Sequence, residues 1–385
     1  MAKTLAGDLS ASTPTGAGPD RLLVGVVIAL AVLGMGLRYL GYAATGGHPS
    51  PMGFVTATCV WDCTWYGDIA LNGYQPHPET LNFGGPAGIA NWAFFPLYPL
   101  LIAALHAVTG ATPALLGAIV SPLLTLAAVL LSWPLFGGDR RAYLLFAAFL
   151  LAGPFSFYFA ILYSESLFVL LTVSSLVLLQ GKRYVAAGIA GALLAATRTV
   201  GVLFVFALLA EALIELGRRA PRNIRRRPDM VLGALLVPAG LFVFMAWLFF
   251  VTGDALAFLH IQRGWDRAFV NPVAAIWSGL TSPVGQVRDA PMLSIAALVG
   301  LGLCGALFAR REWAQAVFCT LALLLALTSG LESMIRFVVA LAPLGIVLCR
   351  LLARWRWLFW ISLIAFLALG VEGTTLWVQQ RGALM

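Results

Sequence analysis

The sequence predicts an all-α polytopic membrane protein. Three observations carry that prediction. Of the 385 residues, 61% are apolar and only 10% are charged, where a soluble domain carries roughly 25% charged residues. The mean hydropathy of +0.92 excludes a soluble globular chain and a disordered one. Apolar runs long enough for membrane helices recur from Leu22 to Trp377. The net charge is +8. In such a chain Lys and Arg mark cytoplasmic loops, so no nucleic-acid partner is implied and membrane lipids are the surroundings.

The elements follow from the placement of the basic residues. Residues 1–21 are rich in Ala, Ser, Thr, Gly and Pro and read as a disordered cytoplasmic tail. The run after them is too long for a signal peptide and opens the transmembrane domain, 22–374. The pairs Arg140–Arg141, Lys182–Arg183 and Arg310–Arg311 should be cytoplasmic, with the clusters Arg218–Arg227 and Arg350–Arg356. That requires an even number of crossings between any two of them. The first span is Leu22–Ala44, running outward. Residues 45–112 form a large outer loop, with Phe94–Gly110 lying at the outer face and an irregular start at Pro96 and Pro99. The second span is Pro113–Phe136, then come Tyr143–Phe159 and a return to Gln180.

The run Tyr184–Leu216 would be about 50 Å long as one helix, against a hydrocarbon core near 30 Å. Both of its ends are basic, so it reads as two short spans meeting at Thr197-Arg198-Thr199. Val231–Val251 leads to a second outer loop, 252–290. The last spans are expected at Met292–Ala309, Trp313–Thr328, Phe337–Leu352 and Trp357–Thr374, with 375–385 as an extracytoplasmic tail. The sum is about 11 spans.

Five cysteines are too few for a disulfide framework. Cys304, Cys319 and Cys349 sit in apolar runs and read as core packing. Cys59 and Cys63, one helical turn apart if the helix is continuous, would stand too far apart for disulfide geometry and read as free thiols.

Charged groups near membrane depth are costly and are functional candidates. On the outer side they gather in a few segments. The first loop holds Trp61, Asp62, Trp65, Tyr66, Asp68 and Tyr74. Then come Tyr163-Ser164-Glu165-Ser166, Thr197-Arg198, the group Gln262, Arg263, Trp265 and Arg267, and Ser333-Met334-Ile335-Arg336. A carboxylate among aromatic rings can serve as a general base. Arginines on the same side can hold a phosphate by paired hydrogen bonds, and aromatic rings can stack on sugars. Together these suit group transfer from a membrane-anchored phosphate. From composition alone a transporter would show intramembrane charges too.

The order of the segments is more specific. Trp61-Asp62-x-x-Trp65-Tyr66-x-x-Ile69-Ala70-x-x-Gly73-Tyr74 is followed by Phe94-Phe95-Pro96-Leu97-Tyr98-Pro99 and Tyr163-Ser164-Glu165-Ser166-Leu167-Phe168. Then come Thr197-Arg198-x-x-Gly201, Gln262-x-x-Trp265 and Ser333-x-x-Arg336-Phe337. This series resembles the PIG-V family of mannosyltransferases, in the GT-C class of membrane glycosyltransferases, over most of the chain from Arg38 to Gly345. The compact chain looks more like bacterial relatives than the eukaryotic enzyme of GPI-anchor synthesis.

The resemblance implies a GT-C fold with juxtamembrane helices on the outer face, in a bacterial plasma membrane. It implies a polyprenyl-phosphate sugar donor, with mannose as the sugar, and an extracytoplasmic lipid or glycan acceptor. By the same resemblance Asp62 is the active-site acid, expected to act as general base in one inverting displacement. The departing phosphate needs cationic stabilisation, for which Arg198 and Arg336 are the first candidates, then Arg38 and Arg263. Asp68, Trp61, Trp65, Tyr66, Tyr163, Glu165, Gln262 and Trp265 are candidate substrate contacts. No cofactor is expected to be required. A divalent metal is not favoured, because hard ligands are sparse and His48 and His77 are isolated.

Plainer roles stand beside these. Asp68 can cap or orient a helix, the aromatics can be interfacial anchors, and Glu165 can be a buried partner of an arginine. Arg198 can close a hairpin by binding helix-end carbonyls. A lipid-linked sugar flippase is the rival function.

Overall fold

The computed structural model describes residues 18–46, 50–78, 88–218, 227–265, 267, 269–283 and 289–381. Most of the expected N-terminal tail and most of the basic cluster between positions 218 and 227 lie outside the described residues, as does His48. The described residues contain helices and no strand. In chain order the α-helices are α1 (Arg21–Ala43), α2 (Pro51–Thr58), α3 (Asp62–Asn72), α4 (Leu97–Thr109), α5 (Pro113–Leu131) and α6 (Arg140–Ala152). They continue with α7 (Glu165–Gln180), α8 (Tyr184–Ala195), α9 (Phe204–Arg218), α10 (Pro228–Leu236), α11 (Ala239–Thr252) and α12 (Ala257–His260). The last are α13 (Pro272–Thr281), α14 (Ala290–Ala309), α15 (Trp313–Leu327), α16 (Met334–Ala340), α17 (Ala342–Leu352) and α18 (Arg356–Val378).

Among the described residues five helical segments are long and apolar enough to cross a membrane: α1, α5, the run Pro228–Thr252 formed by α10 and α11, α14, and α18. The pair α16 and α17, bent by 76°, makes a sixth if it is one span. The other expected spans are shorter. α8, with 12 residues, reaches only about 18 Å. The expected span Tyr143–Phe159 is α-helical only as far as Ala152, and a 3₁₀ turn covers Ser156–Phe159. The last helix runs to Val378, past the boundary expected at 374.

The helical ends follow local sequence. Asp20 accepts from the Leu23 amide and caps α1, and Thr112 with Pro113 opens α5. Lipid-compatible residues cover the outside, with Phe250 and Val243 largely exposed. Inside, α1 packs on α6 and α18, α7 on α5 and α8, and α9 on α15.

The break between α6 and α7 is buried in protein, where its carbonyls need partners other than water. Neighbouring hydroxyls supply them. Ser121 Oγ donates to Ile161 O at 2.7 Å, while Thr125 Oγ1 and Ser166 Oγ donate to Phe159 O at 3.2 and 3.0 Å. Gly117 on α5 lies where a Cβ would collide with the Leu162 backbone. Small and hydroxylated residues of α5 thus hold the broken segment that presents Tyr163 and Glu165.

Candidate active site

The site is built from the ends of several helices. α2 stops at Thr58, and α3 starts at Asp62. Between them Trp61 takes φ +58° and ψ −118°, a conformation that favours glycine. Three contacts fix this turn. The Tyr163 hydroxyl donates to Val60 O at 3.1 Å and accepts from the Asp62 amide at 3.2 Å. Trp377 Nε1 donates to Thr58 O at 2.9 Å. A disulfide joins Cys59 and Cys63, with their Cα atoms 5.3 Å apart.

That disulfide corrects the expectation of free thiols. The two cysteines do not share one continuous helix, because the chain turns at Trp61. Cys304, Cys319 and Cys349 are free and buried, in the core positions their apolar runs suggested.

Asp62 is the first residue of α3, and Glu165 is the first of α7. Both carboxylates therefore sit at helix N-termini, where the backbone dipole favours negative charge. Arg198 lies in extended backbone between α8 and a 3₁₀ turn over Thr199–Leu203. Gly201 lets that turn fold back onto α8, since a Cβ there would strike the Leu194 carbonyl. Arg336 is in the first turn of α16, after Ser333, which has φ +61°.

Four charged side chains join in one chain of contacts. Arg336 Nη1 donates to Asp62 Oδ2, and Arg336 Nη2 donates to Ser333 Oγ at 3.2 Å. Arg336 Nε lies 3.4 Å from Glu165 Oε1, the same oxygen that accepts from Arg198 Nη1. The Tyr163 ring faces the Arg336 guanidinium at 5.3 Å, and Phe337 faces that of Arg198 at 5.0 Å. Two carboxylates and two guanidiniums make the group formally neutral. Glu165 is 1% exposed, so its pairing offsets a large desolvation cost.

These groups line one cavity of about 540 Å³. Of the residues singled out from sequence, Trp61, Asp62, Trp65, Tyr66, Tyr163, Glu165, Arg198, Gln262, Trp265 and Arg336 line it. Trp65 stacks on Phe94 with ring centroids 5.5 Å apart, and Trp265 closes edge-on against Trp65 at 5.4 Å. The Tyr66 hydroxyl pairs with Ser164 Oγ at 2.7 Å. Burial first, then the Glu165 carboxylate, pushes its phenol well above the ordinary tyrosine range, so it stays protonated.

Three candidates fall outside the cavity lining. Asp68 accepts from Asn72 Nδ2 at 2.8 Å and from Asn91 Nδ2 at 2.9 Å, and so ties α3 to the chain before Phe94. Its contacts are those of a structural brace. Arg38 is buried on α1 and donates to Leu151 O at 2.6 Å, against the end of α6. Arg263 is exposed and points to no cavity-lining role.

Other residues reach the cavity without having been assigned a role from sequence. Arg267 pairs with Glu332 at 3.7 Å and donates to Gln262 Oε1 at 3.4 Å. Trp377 lines the wall and stacks on Phe157 at 4.9 Å. The signal for Trp377 was an aromatic residue ending the last apolar run. Glu332 directly precedes the Ser333-x-x-Arg336 motif. Among the described residues no group of three or more His, Cys, Asp or Glu converges as metal ligands.

The chain matches no protein-family model and no curated protein sequence. Among solved structures it is similar to the crystal structure of the Archaeoglobus fulgidus oligosaccharyltransferase in complex with Zn and sulfate, at 15% identity and a TM-score of 0.48. The match covers 91% of this chain and 53% of that one, so this chain spans about half the length of that protein.

Proposed function

We propose that the protein is a GT-C membrane glycosyltransferase that moves a sugar from a polyprenyl-phosphate donor to an extracytoplasmic lipid or glycan acceptor. Mannose is the first sugar to test, on the resemblance to the PIG-V family. The observation that carries the reading is the convergence of Asp62, Glu165, Arg198 and Arg336 in one aromatic-walled cavity. Four segments distant in sequence supply two carboxylates and two guanidiniums beside rings suited to a sugar face.

In the proposed reaction the acceptor hydroxyl gives its proton to the Asp62 carboxylate. Its oxygen bonds to the anomeric carbon as the bond from that carbon to the phosphate oxygen breaks. Polyprenyl phosphate leaves, and Arg198 and Arg336 stabilise the charge that develops on it. The displacement inverts the anomeric centre.

We read the site as facing the extracytoplasmic side of a bacterial plasma membrane. The basic pairs fall at the helix ends remote from the cavity, as in the ion pairs of Arg140 with Asp20 and of Arg350 with Glu312. The Cys59–Cys63 disulfide beside the cavity fits an oxidising compartment. On this reading the shorter helices α6, α7, α8, α9 and α15 also cross. With the longer segments and the bent pair they give about 11 crossings, the short ones shielded by neighbours.

The test is transfer by purified protein in nanodiscs, with radiolabelled polyprenyl-phosphate mannose and a lipid extract of the native membrane. Label in a new product supports the reading. Donor crossing sealed vesicles with no new product replaces it with a flippase.

A further inference from the structure

We infer that the ion pair between Arg336 and Asp62 is a latch that the donor phosphate opens, so that the carboxylate is freed for the acceptor only after the donor has bound. The inference rests on the proposed transfer reaction and assigns an order to it.

The geometry points to competition for one guanidinium. Two of the three nitrogens of Arg336 donate hydrogen bonds, Nη1 to Asp62 and Nη2 to Ser333, while Nε lies 3.4 Å from Glu165 Oε1 without a hydrogen bond. A phosphate that takes the forked pair of hydrogen bonds from Nη1 and Nη2 of Arg336 displaces Asp62 and the neutral Ser333 hydroxyl. Glu165 is the fixed carboxylate. It is 1% exposed, it starts α7, and a single oxygen, Oε1, serves both arginines. Asp62 has the freer carboxylate, at 27% side-chain exposure on the cavity wall.

Arg198 is placed to share the phosphate with Arg336. Its cavity-side guanidinium is held through Nη1 alone in a side-chain hydrogen bond, to Glu165, among the described residues. A phosphate there also meets Arg336, because the two guanidiniums share Glu165 Oε1. Arg336 then exchanges one carboxylate oxygen for a phosphate oxygen, and Glu165 remains as the pivot for both cations. Asp62 is released at the moment when a base is useful. Without donor, Asp62 Oδ2 is held by a cation, which weakens the carboxylate as a base for the acceptor hydroxyl.

The test is binding of a short-chain polyprenyl phosphate to the full-length protein in nanodiscs, measured for wild type, Asp62→Asn and Glu332→Gln. Asn at 62 forms no ion pair with Arg336, so Asp62→Asn should bind the lipid phosphate about tenfold more tightly. Glu332→Gln removes a carboxylate from the same cavity, but one paired with Arg267, and should shift affinity less than twofold. Asp62→Ser carries the same expectation as Asp62→Asn and serves if the amide variant does not fold. Equal affinity of the Asp62 variants and wild type overturns the latch and leaves the transfer reaction standing. An equal gain in Glu332→Gln also overturns it, since general charge removal then accounts for the effect. Absence of lipid-phosphate binding in every protein overturns both the latch and the proposed donor.

Discussion

Trp61 and Ser333 both take positive φ, at +58° and +61°, and each stands at the start of the helix that carries one partner of the central ion pair. Trp61 precedes Asp62, and Ser333 precedes Arg336 by one turn. Non-glycine residues in this region cost roughly 1–3 kcal/mol each and persist where surrounding contacts over-determine them. At Trp61 those contacts are the Tyr163 hydroxyl, the Trp377 indole N–H and the disulfide. The backbone is bent to aim two side chains at each other across 274 residues of sequence.

The Trp61 turn gives a stability prediction. Trp61→Gly should be more stable than Trp61→Ala by about 1 kcal/mol, because only glycine takes this φ without strain. Both lose the same indole, so the difference isolates the backbone. Thermal unfolding of the two variants in one detergent measures it. Equal midpoints would place the strain elsewhere.

Glu165 gives a second prediction. Glu165→Gln leaves Arg198 and Arg336 without their shared buried counter-charge. Breaking a buried pair by removing one partner costs about 3–5 kcal/mol, so the unfolding midpoint should fall clearly below that of wild type. An unchanged midpoint would mean that the two arginines are solvated well enough without it.

The disulfide predicts a labelling pattern and an effect on rate. Denatured, unreduced protein should take up three alkyl labels, on Cys304, Cys319 and Cys349, and reduced protein five. Reduction should slow transfer by about tenfold or more, since small misplacement of a reacting group is costly. Five labels before reduction would show that Cys59 and Cys63 are not joined.

The legibility of these features in sequence divides along physical lines. Aromatic and charged residues at apolar-run ends marked the cavity wall from Trp61 to Arg336, because a membrane chain keeps few such groups without reason. Helix existence was readable from hydropathy, as in α1 and α14. Helix length was not. The hydroxyls of Ser121, Thr125 and Ser166 satisfy a broken backbone, and their periodicity gives no sign of it. The disulfide was misread because helical spacing was extended through Trp61, a residue with no sequence signature for positive φ. Residue type alone did not separate Asp68 from Asp62; bonds to Asn72 and Asn91 hold the first outside the cavity lining, and the pairing with Arg336 holds the second in it. The pairing of Asp62 with Arg336 depends on tertiary packing that one sequence does not encode locally.

The central claim is that Asp62 is the base of a sugar transfer. Its most direct test is the rate of transfer from polyprenyl-phosphate sugar by wild type and by Asp62→Asn, at saturating donor and acceptor. A general base contributes roughly 10²–10⁴-fold, so the variant should fall by at least about 100-fold while still binding lipid phosphate. Transfer at the wild-type rate by Asp62→Asn would contradict the account and remove Asp62 from the chemistry.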